Sequence, residues 1–183
     1  MSIDATEAFA VYQNADRLYT EDEVEAALDR MGLEISRVLR EDDPVVLCVM
    51  NGGLIPAGRL VLRLDFPLRM DYLHATRYRD QTTGADLQWL KRHHESLQGK
   101  TVLIIDDILD EGITLAAIAE YCKQEGAARV FSAVVVEKEH DRSNGFRADF
   151  VGLPVPDRYV FGYGMDYKGY LRNSPGIFAV KET

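Results

Sequence analysis

Cysteine is scarce in this chain of 183 residues: there are two, Cys48 and Cys122. Both lie in apolar settings and read as reduced, buried small hydrophobes of a cytosolic protein, which excludes a disulfide framework or a thiolate metal set. Basic excess is missing too. Lys and Arg total 21 against 30 Asp and Glu, for a net charge of −9 and a pI near 4.9. That argues against broad binding to nucleic acid or anionic membranes, which draws on a basic face. No apolar run approaches the ~20 residues that span a bilayer. The N-terminal MSIDATEAFA has neither the basic region nor the apolar core of a secretory signal. Internal repeats and low-complexity linkers are absent as well. At 46% hydrophobic and 28% charged residues, the chain reads as one soluble cytoplasmic domain, large enough to bury a core.

What is present is an alternation of periodicities. Between residues 20 and 39, Val24, Ala27, Leu28, Met31, Ile35, Val38 and Leu39 recur at helical spacing, and Thr20 with Glu23 forms a capping box. Pro44 breaks the chain, 45–50 reads as a buried strand, Asn51-Gly52-Gly53 turns it, and 54–64 resumes a helical pattern. Leu68, Met70 and Tyr72 alternate like a half-buried strand. Residues 102–105 and 130–136 are continuous apolar strands, separated by a helix carrying Leu115, Ile118, Ala119 and Cys122 that Gly126 ends. Strands buried on both faces and alternating with helices predict an α/β fold with a mainly parallel central sheet flanked by helices. Residues 76–99 are too long and polar for an ordinary connection, and read as a long flexible loop with a functional role, in which His93 and His94 are solvated. From residue 150 onward, Gly, Pro and Tyr suit short strands and turns.

The chemistry concentrates in VLIIDDILDEGIT, residues 102–114, where Asp106, Asp107, Asp110 and Glu111 fall within six consecutive positions between a strand and a helix. A tight turn opening a helix offers free backbone N–H groups and the positive end of the helix dipole to a phosphate. Gly112 permits close approach and the Thr114 hydroxyl adds a donor. Asp106 and Asp107 leave the strand end on opposite sides, where carboxylates accept from a vicinal diol or hold Mg²⁺ through its water shell. Asp110, between them and the turn, is placed to act as a general base or to stabilise positive charge. Such a set describes a ribose 5-phosphate pocket at the carboxyl end of a parallel sheet, where ligands bind in folds of this class.

This stretch resembles the phosphoribosyl pyrophosphate (PRPP) motif of type I phosphoribosyltransferases. VMNGG (49–53), VVVEKE (134–139), DFVGLPVPDRYVFGYGMDY (149–167) and YLRN (170–173) follow in the order found in the hypoxanthine-guanine family. The resemblance implies the type I fold over residues 1–183, with a small hood built from the N-terminal segment and roughly 150–183. It implies a purine salvage transferase that makes IMP or GMP from hypoxanthine or guanine and PRPP, with Mg²⁺ as cofactor and pyrophosphate released. By the same resemblance Asp110 is catalytic near the purine N7, and Asp106, Asp107, Asp110, Glu111, Gly112, Ile113 and Thr114 bind the ribose and its phosphate. Asn51, Gly52, Gly53 and Arg172 bind pyrophosphate. Lys138, Tyr159, Val160 and Met165 bind the purine. Lys138 contacts the 6-oxo group, and because an ammonium only donates, it disfavours adenine. Asp166 holds a second Mg²⁺, with Asp106 and Asp107 reaching metal through water. Tyr78 is the loop residue carried over, and a homodimer or homotetramer is implied.

The chain departs from the family pattern at Asn51, where a basic residue is common, at Arg77 in the loop and at Glu111 in the phosphate turn. Asn51 is tolerable where the turn works through its backbone, in a non-proline cis peptide. Ile113 also departs, without consequence if it faces outward. None of these removes a group that the chemistry requires. Two rival readings fit the sequence less well. A receiver domain also gathers aspartates at strand ends, but on its first strand and without a phosphate turn. A nucleotide-sensing, RNA-binding regulator on the same fold needs a basic face, and this chain shows no concentrated one.

Overall fold

The computed structural model describes residues 3–77 and 87–182. In chain order these form α1 (Ala5–Asn14), β1 (Asp16–Tyr19), α2 (Glu21–Leu39), β2 (Val45–Met50), α3 (Leu54–Leu60), β3 (Arg69–Arg77), β4 (Leu87–Lys91), β5 (Thr101–Leu109), α4 (Ile113–Gln124), β6 (Arg129–Glu139), β7 (Phe150–Pro156), β8 (Val160–Phe161) and β9 (Ile177–Ala179). A 3-10 turn, Val61–Arg63, continues α3. Six strands make one sheet in the order β4-β3-β2-β5-β6-β7, parallel throughout except for β4, which is antiparallel to β3. β1, β9 and β8 form a separate three-stranded antiparallel sheet.

The period-two alternation of the central strands sorts the core into two layers. Val46, Cys48, Leu103, Ile105, Ala133 and Val135 point to the face covered by α2 and α3. Val45, Leu47, Val49, Val102, Ile104 and Val134 point to the opposite face, where Leu115, Ile118 and Cys122 of α4 meet them. α2 starts at the expected place: the Thr20 hydroxyl accepts from the Glu23 N–H, and the Glu23 carboxylate accepts from the Thr20 N–H at 2.8 Å. Its fully buried side chains include Leu28, Met31 and Ile35. Truncating one such leucine to alanine costs about 2–5 kcal/mol, enough to threaten a fold of ordinary stability. Both cysteines are buried and free, and burial pushes their thiols up, to about 11 for Cys48 and about 12 for Cys122.

Three local expectations are corrected. The strand at Leu68, Met70 and Tyr72 buries the other set of residues: Leu73 and Ala75 face the core, while Met70 is 49% and Tyr72 41% exposed. Apolar alternation alone does not say which face is covered. The second correction concerns residues 76–99, which hold β4 rather than loop throughout. Trp89 packs on Tyr121 of α4 with ring centroids 4.3 Å apart, and the sheet edge of β3 supplies the pairing. Third, His93 is not a solvated loop residue, since its ring is half-buried and lies 5.5 Å from that of Tyr121. Among the described residues no helix is long and apolar enough to cross a membrane.

Candidate active site

β5 runs past its apolar part to Leu109, so Asp106 and Asp107 lie within the strand and not at its end as the sequence suggested. β6 pairs with β5 as far as Leu109, whereas β2 stops pairing at Ile105 and turns away at Asn51. The two aspartates therefore have a strand on one side and the 51–53 turn on the other. Asp106 is 9% and Asp107 8% exposed. Burial raises both carboxyls above the ordinary carboxylate value, and the charge of Asp107 raises Asp106 further, against a partial opposing pull from Arg172. The Asp107 N–H donates to the Asp106 carboxylate at 2.9 Å.

The turn after β5 opens α4 with Gly112 in the left-handed region, at φ 85°, a conformation that side chains seldom adopt. Asp106, Asp107, Asp110, Gly112 and Thr114 line one cavity of about 150 Å³ at this helix start. Glu111 and Ile113 are half-buried beside it. The segment after β6 folds over the turn: the Asn144 N–H donates to the Glu111 carbonyl at 3.0 Å, and a side chain at position 112 would meet Asn144 at 2.6 Å.

A second cavity of about 290 Å³ adjoins the first and shares Asp107, Ile108 and Asp110 with it. Its other walls are Lys138, Tyr159, Val160, Met165 and Asp166. Lys138, near the end of β6, places Nζ 2.9 Å from Asp110 Oδ2. The opposite oxygen, Oδ1, lies 2.7 Å from His140 Nε2. Burial alone would raise the Asp110 carboxyl, but the hydrogen bonds and charge of these neighbours prevail and hold it below the ordinary value. Tyr159 stands edge-on to Tyr167 at 5.3 Å and is 51% exposed, so one flank of its ring is open to the cavity. Val160 and Met165 are buried.

Arg172 ties Asp107 and Asp166 to Gly164, which packs against the 51–53 turn. Its guanidinium donates to the Gly164 carbonyl at 2.6 Å, pairs with Asp166 Oδ1 at 2.7 Å, and reaches to 3.8 Å from Asp107 Oδ2. The peptide between Met50 and Asn51 is cis. Asn51 is exposed and Gly52 is buried against Asp107. Of the two glycine amides expected to face pyrophosphate, that of Gly53 already donates to the Val49 carbonyl at 2.8 Å. Gly164, at φ 108°, presses on the Gly52 carbonyl from the other side.

The structure thus gathers Asp106, Asp107, Asp110, Gly112, Thr114, Lys138, Tyr159, Val160, Met165 and Asp166 around two adjoining cavities, with Arg172 behind the wall residues Asp107 and Asp166. Tyr78 lies outside the described residues. Sequence reasoning missed His140, Arg142 and Asp157. Arg142 holds Asp157 through two hydrogen bonds, of 2.6 and 2.8 Å, and Asp157 is 4.0 Å from Lys138. One signal was available: His140 follows Lys138 by two residues at a strand end, a spacing that puts both on one side of extended chain.

The chain and its fold have counterparts among known proteins. A model of the phosphoribosyl transferase domain matches residues 14–168. The hypoxanthine-guanine phosphoribosyltransferase of Bacillus subtilis is 31% identical over 165 residues, covering 90% of this chain and 92% of that one. The hypoxanthine phosphoribosyltransferase structure from Staphylococcus aureus superposes with a TM-score of 0.88 at 27% identity, over 94% of this chain and 95% of the other. The enzyme of that name from Trypanosoma cruzi, solved with its product IMP, gives 0.86 at 25% identity, over 93% and 96%.

Proposed function

The chain belongs to the hypoxanthine-guanine group of the phosphoribosyl transferase family, and from that premise we propose that it joins a 6-oxopurine to the phosphoribosyl group of PRPP. The bond from ribose C1 to pyrophosphate breaks, the bond from C1 to purine N9 forms, and the purine gives up one proton. The observation that carries this reading is the Lys138–Asp110 pair, at 2.9 Å, on the wall of a cavity that also holds Tyr159 and Val160. A cation that only donates, beside a carboxylate that only accepts, matches the 6-oxo and N7 edge of such a base.

Each group has a task in this proposal. The start of α4, with Gly112 and Thr114, receives the 5-phosphate, and Asp106 and Asp107 accept from the ribose hydroxyls. Glu111 and Ile113 contribute through the backbone of the turn. Arg172 and the Asn51-Gly52-Gly53 turn receive pyrophosphate, with Arg172 exchanging its present carboxylate partners for phosphate oxygens, which its planar fork fits in the same way. Tyr159 stacks on the base, while Val160 and Met165 bound its edge. Asp110 takes the purine proton near N7 and, being ionised at neutral pH, also favours positive charge developing on the ribose. The small sheet, β1-β9-β8, acts as the hood.

Mg²⁺ fits these residues. The candidate ligands are carboxylate oxygens alone, and no cluster of three or more metal-ligating side chains occurs among the described residues. A hard cation that keeps its waters and takes one or two carboxylates plus substrate phosphates suits such a site. Asp106 and Asp107 would hold it through water on the ribose side, and Asp166 on the pyrophosphate side. When bound, it would neutralise charge on the leaving pyrophosphate.

Nucleotide formation from PRPP, with hypoxanthine, guanine, xanthine and adenine compared in parallel, tests the reading. Turnover with hypoxanthine or guanine, and at least about 100-fold slower with adenine because its amine leaves Lys138 unpaired, is the expected result. Equal rates with adenine would remove Lys138 from its role. Folded protein that binds PRPP but converts none of the four bases would favour the nucleotide-sensing, RNA-binding regulator instead.

A further inference from the structure

His140 has no part in the chemistry assigned so far, yet it touches the group at its centre. Its Nε2 lies 2.7 Å from Asp110 Oδ1, on the oxygen opposite the one held by Lys138. The Arg142 backbone N–H donates to His140 Nδ1 at 3.0 Å. Nδ1 is therefore an acceptor, and Nε2 carries the proton donated to Asp110. The side chain is 4% exposed, and Arg142 is itself tied to Asp157 by two hydrogen bonds. A chance surface contact would have neither the fixed tautomer nor the burial.

The proposed reaction gives this contact a use. In this structure Asp110 and Lys138 are bonded to each other, but turnover needs them apart, Lys138 on the 6-oxo group and Asp110 near N7. Once Lys138 turns to the base, Oδ2 loses its donor, and a carboxylate held on neither oxygen is free to rotate. We propose that His140 is a positioning residue: its hydrogen bond to Oδ1 holds the Asp110 carboxylate in place while Lys138 engages the purine, so that Oδ2 faces N7. This inference rests on the purine-transfer reading above. The charged groups around the pair are Lys138, Arg142 at 3.9 Å from Asp110, Asp157 on the β7–β8 connection, and Glu111 in the phosphate turn.

The test compares His140→Phe, His140→Gln and His140→Asn with wild type in kcat, in KM for both substrates, and in the pH profile of kcat/KM. Gln carries its amide N–H to about the position of Nε2, whereas Asn is too short and Phe has no donor. Loss of one hydrogen bond to a charged group should lower kcat about ten- to hundredfold in His140→Phe. KM for PRPP should stay near wild type, and the acid limb of the profile should move to higher pH, because a donor favouring ionised Asp110 is gone. His140→Gln should recover most of the rate and return the limb. If His140→Phe fails to fold, the same contrast between Gln and Asn decides the matter. Wild-type turnover with the variants unchanged, or all three slowed alike with no movement of the acid limb, would overturn the positioning role. Wild type that makes no nucleotide in the same assay would overturn the function on which it rests.

Discussion

Gly52→Ala is the sharpest probe of how the 51–53 turn and the acidic strand share space. A Cβ built on Gly52 sits 2.0 Å from Asp107 Oδ2 and 2.4 Å from its Cγ. Optimal nonbonded separations are about 3.5 Å, so the Asp107 carboxylate must retreat by roughly 1.5 Å or the turn must lift by as much. Neither is easy: Asp107 is 8% exposed, and Gly164 presses on the Gly52 carbonyl from the other side. Overpacking of this kind costs about 1–3 kcal/mol, which for a chain of this length lowers Tm by roughly 2–4 °C per kcal/mol. The effect on catalysis should be larger, since a displacement of ~1 Å in a positioned group can cost about 100-fold. The assay pairs steady-state kinetics with a thermal melt, and Gly58→Ala is the control. A Cβ at Gly58, within α3, meets nothing within 4 Å. That change should raise stability by about 0.5–1 kcal/mol through helix propensity and leave kcat alone. Gly52→Ala with kcat within about threefold of wild type and an unmoved Tm would refute the claimed packing, because a clash relieved without cost is no clash.

Further predictions concern the carboxylates and the lysine. Asp106→Asn should raise Tm, by about 2–4 °C for each kcal/mol gained, and abolish most turnover. The folded-state carboxyl is raised by burial, so its favourable contribution is complete below its unfolded pKa and is lost as pH rises through the folded one. The Tm gap should accordingly widen as pH rises above the ordinary carboxylate range, and a mutant less stable than wild type at pH 8 would contradict the burial argument. Asp110 has the opposite sign: its folded pKa is lowered, so its stabilisation is present above the unfolded value and fades as pH falls through the folded one. Asp110→Asn should therefore flatten the acid side of the stability curve; it should keep PRPP binding and lose about 10²–10⁴-fold in kcat. Near-normal turnover would sink Asp110 as the proton-handling group. Lys138→Gln should weaken discrimination against adenine, since an amide oxygen accepts from the exocyclic amine; an unchanged hypoxanthine-to-adenine ratio would contradict the assigned contact.

Where local chemistry is self-sufficient, the chain announced its structure. The capping box of Thr20 and Glu23 needs no distant partner, so the start of α2 was legible to the residue. Continuous apolar strands implied burial on both faces, and the two layers that sandwich β2, β5 and β6 follow from it. β3 shows the limit. Its apolar residues alternate on both faces, and only the packing of the sheet decides that Leu73 is inside while Met70 and Tyr72 are out. β4 was hidden for a similar reason, because an edge strand draws its pairing from β3 and its anchor, Tyr121 under Trp89, from a helix later in the chain.

The sequence by itself determined the residue types of the site and their order: acidic pair, phosphate turn, lysine at a strand end, aromatic, aspartate and arginine. Tertiary structure decided their partners. Lys138 and His140 converge on opposite oxygens of Asp110, and Arg172 ties Gly164, Asp166 and Asp107 together, across separations of 28, 30 and up to 65 positions. Periodicity and capping act over a few residues, within the reach of one helical turn or one strand pair. Which carboxylate receives which cation depends on the stacking order β2-β5-β6-β7 and on where β2 lets go of β5, and that order is set only when the whole core closes.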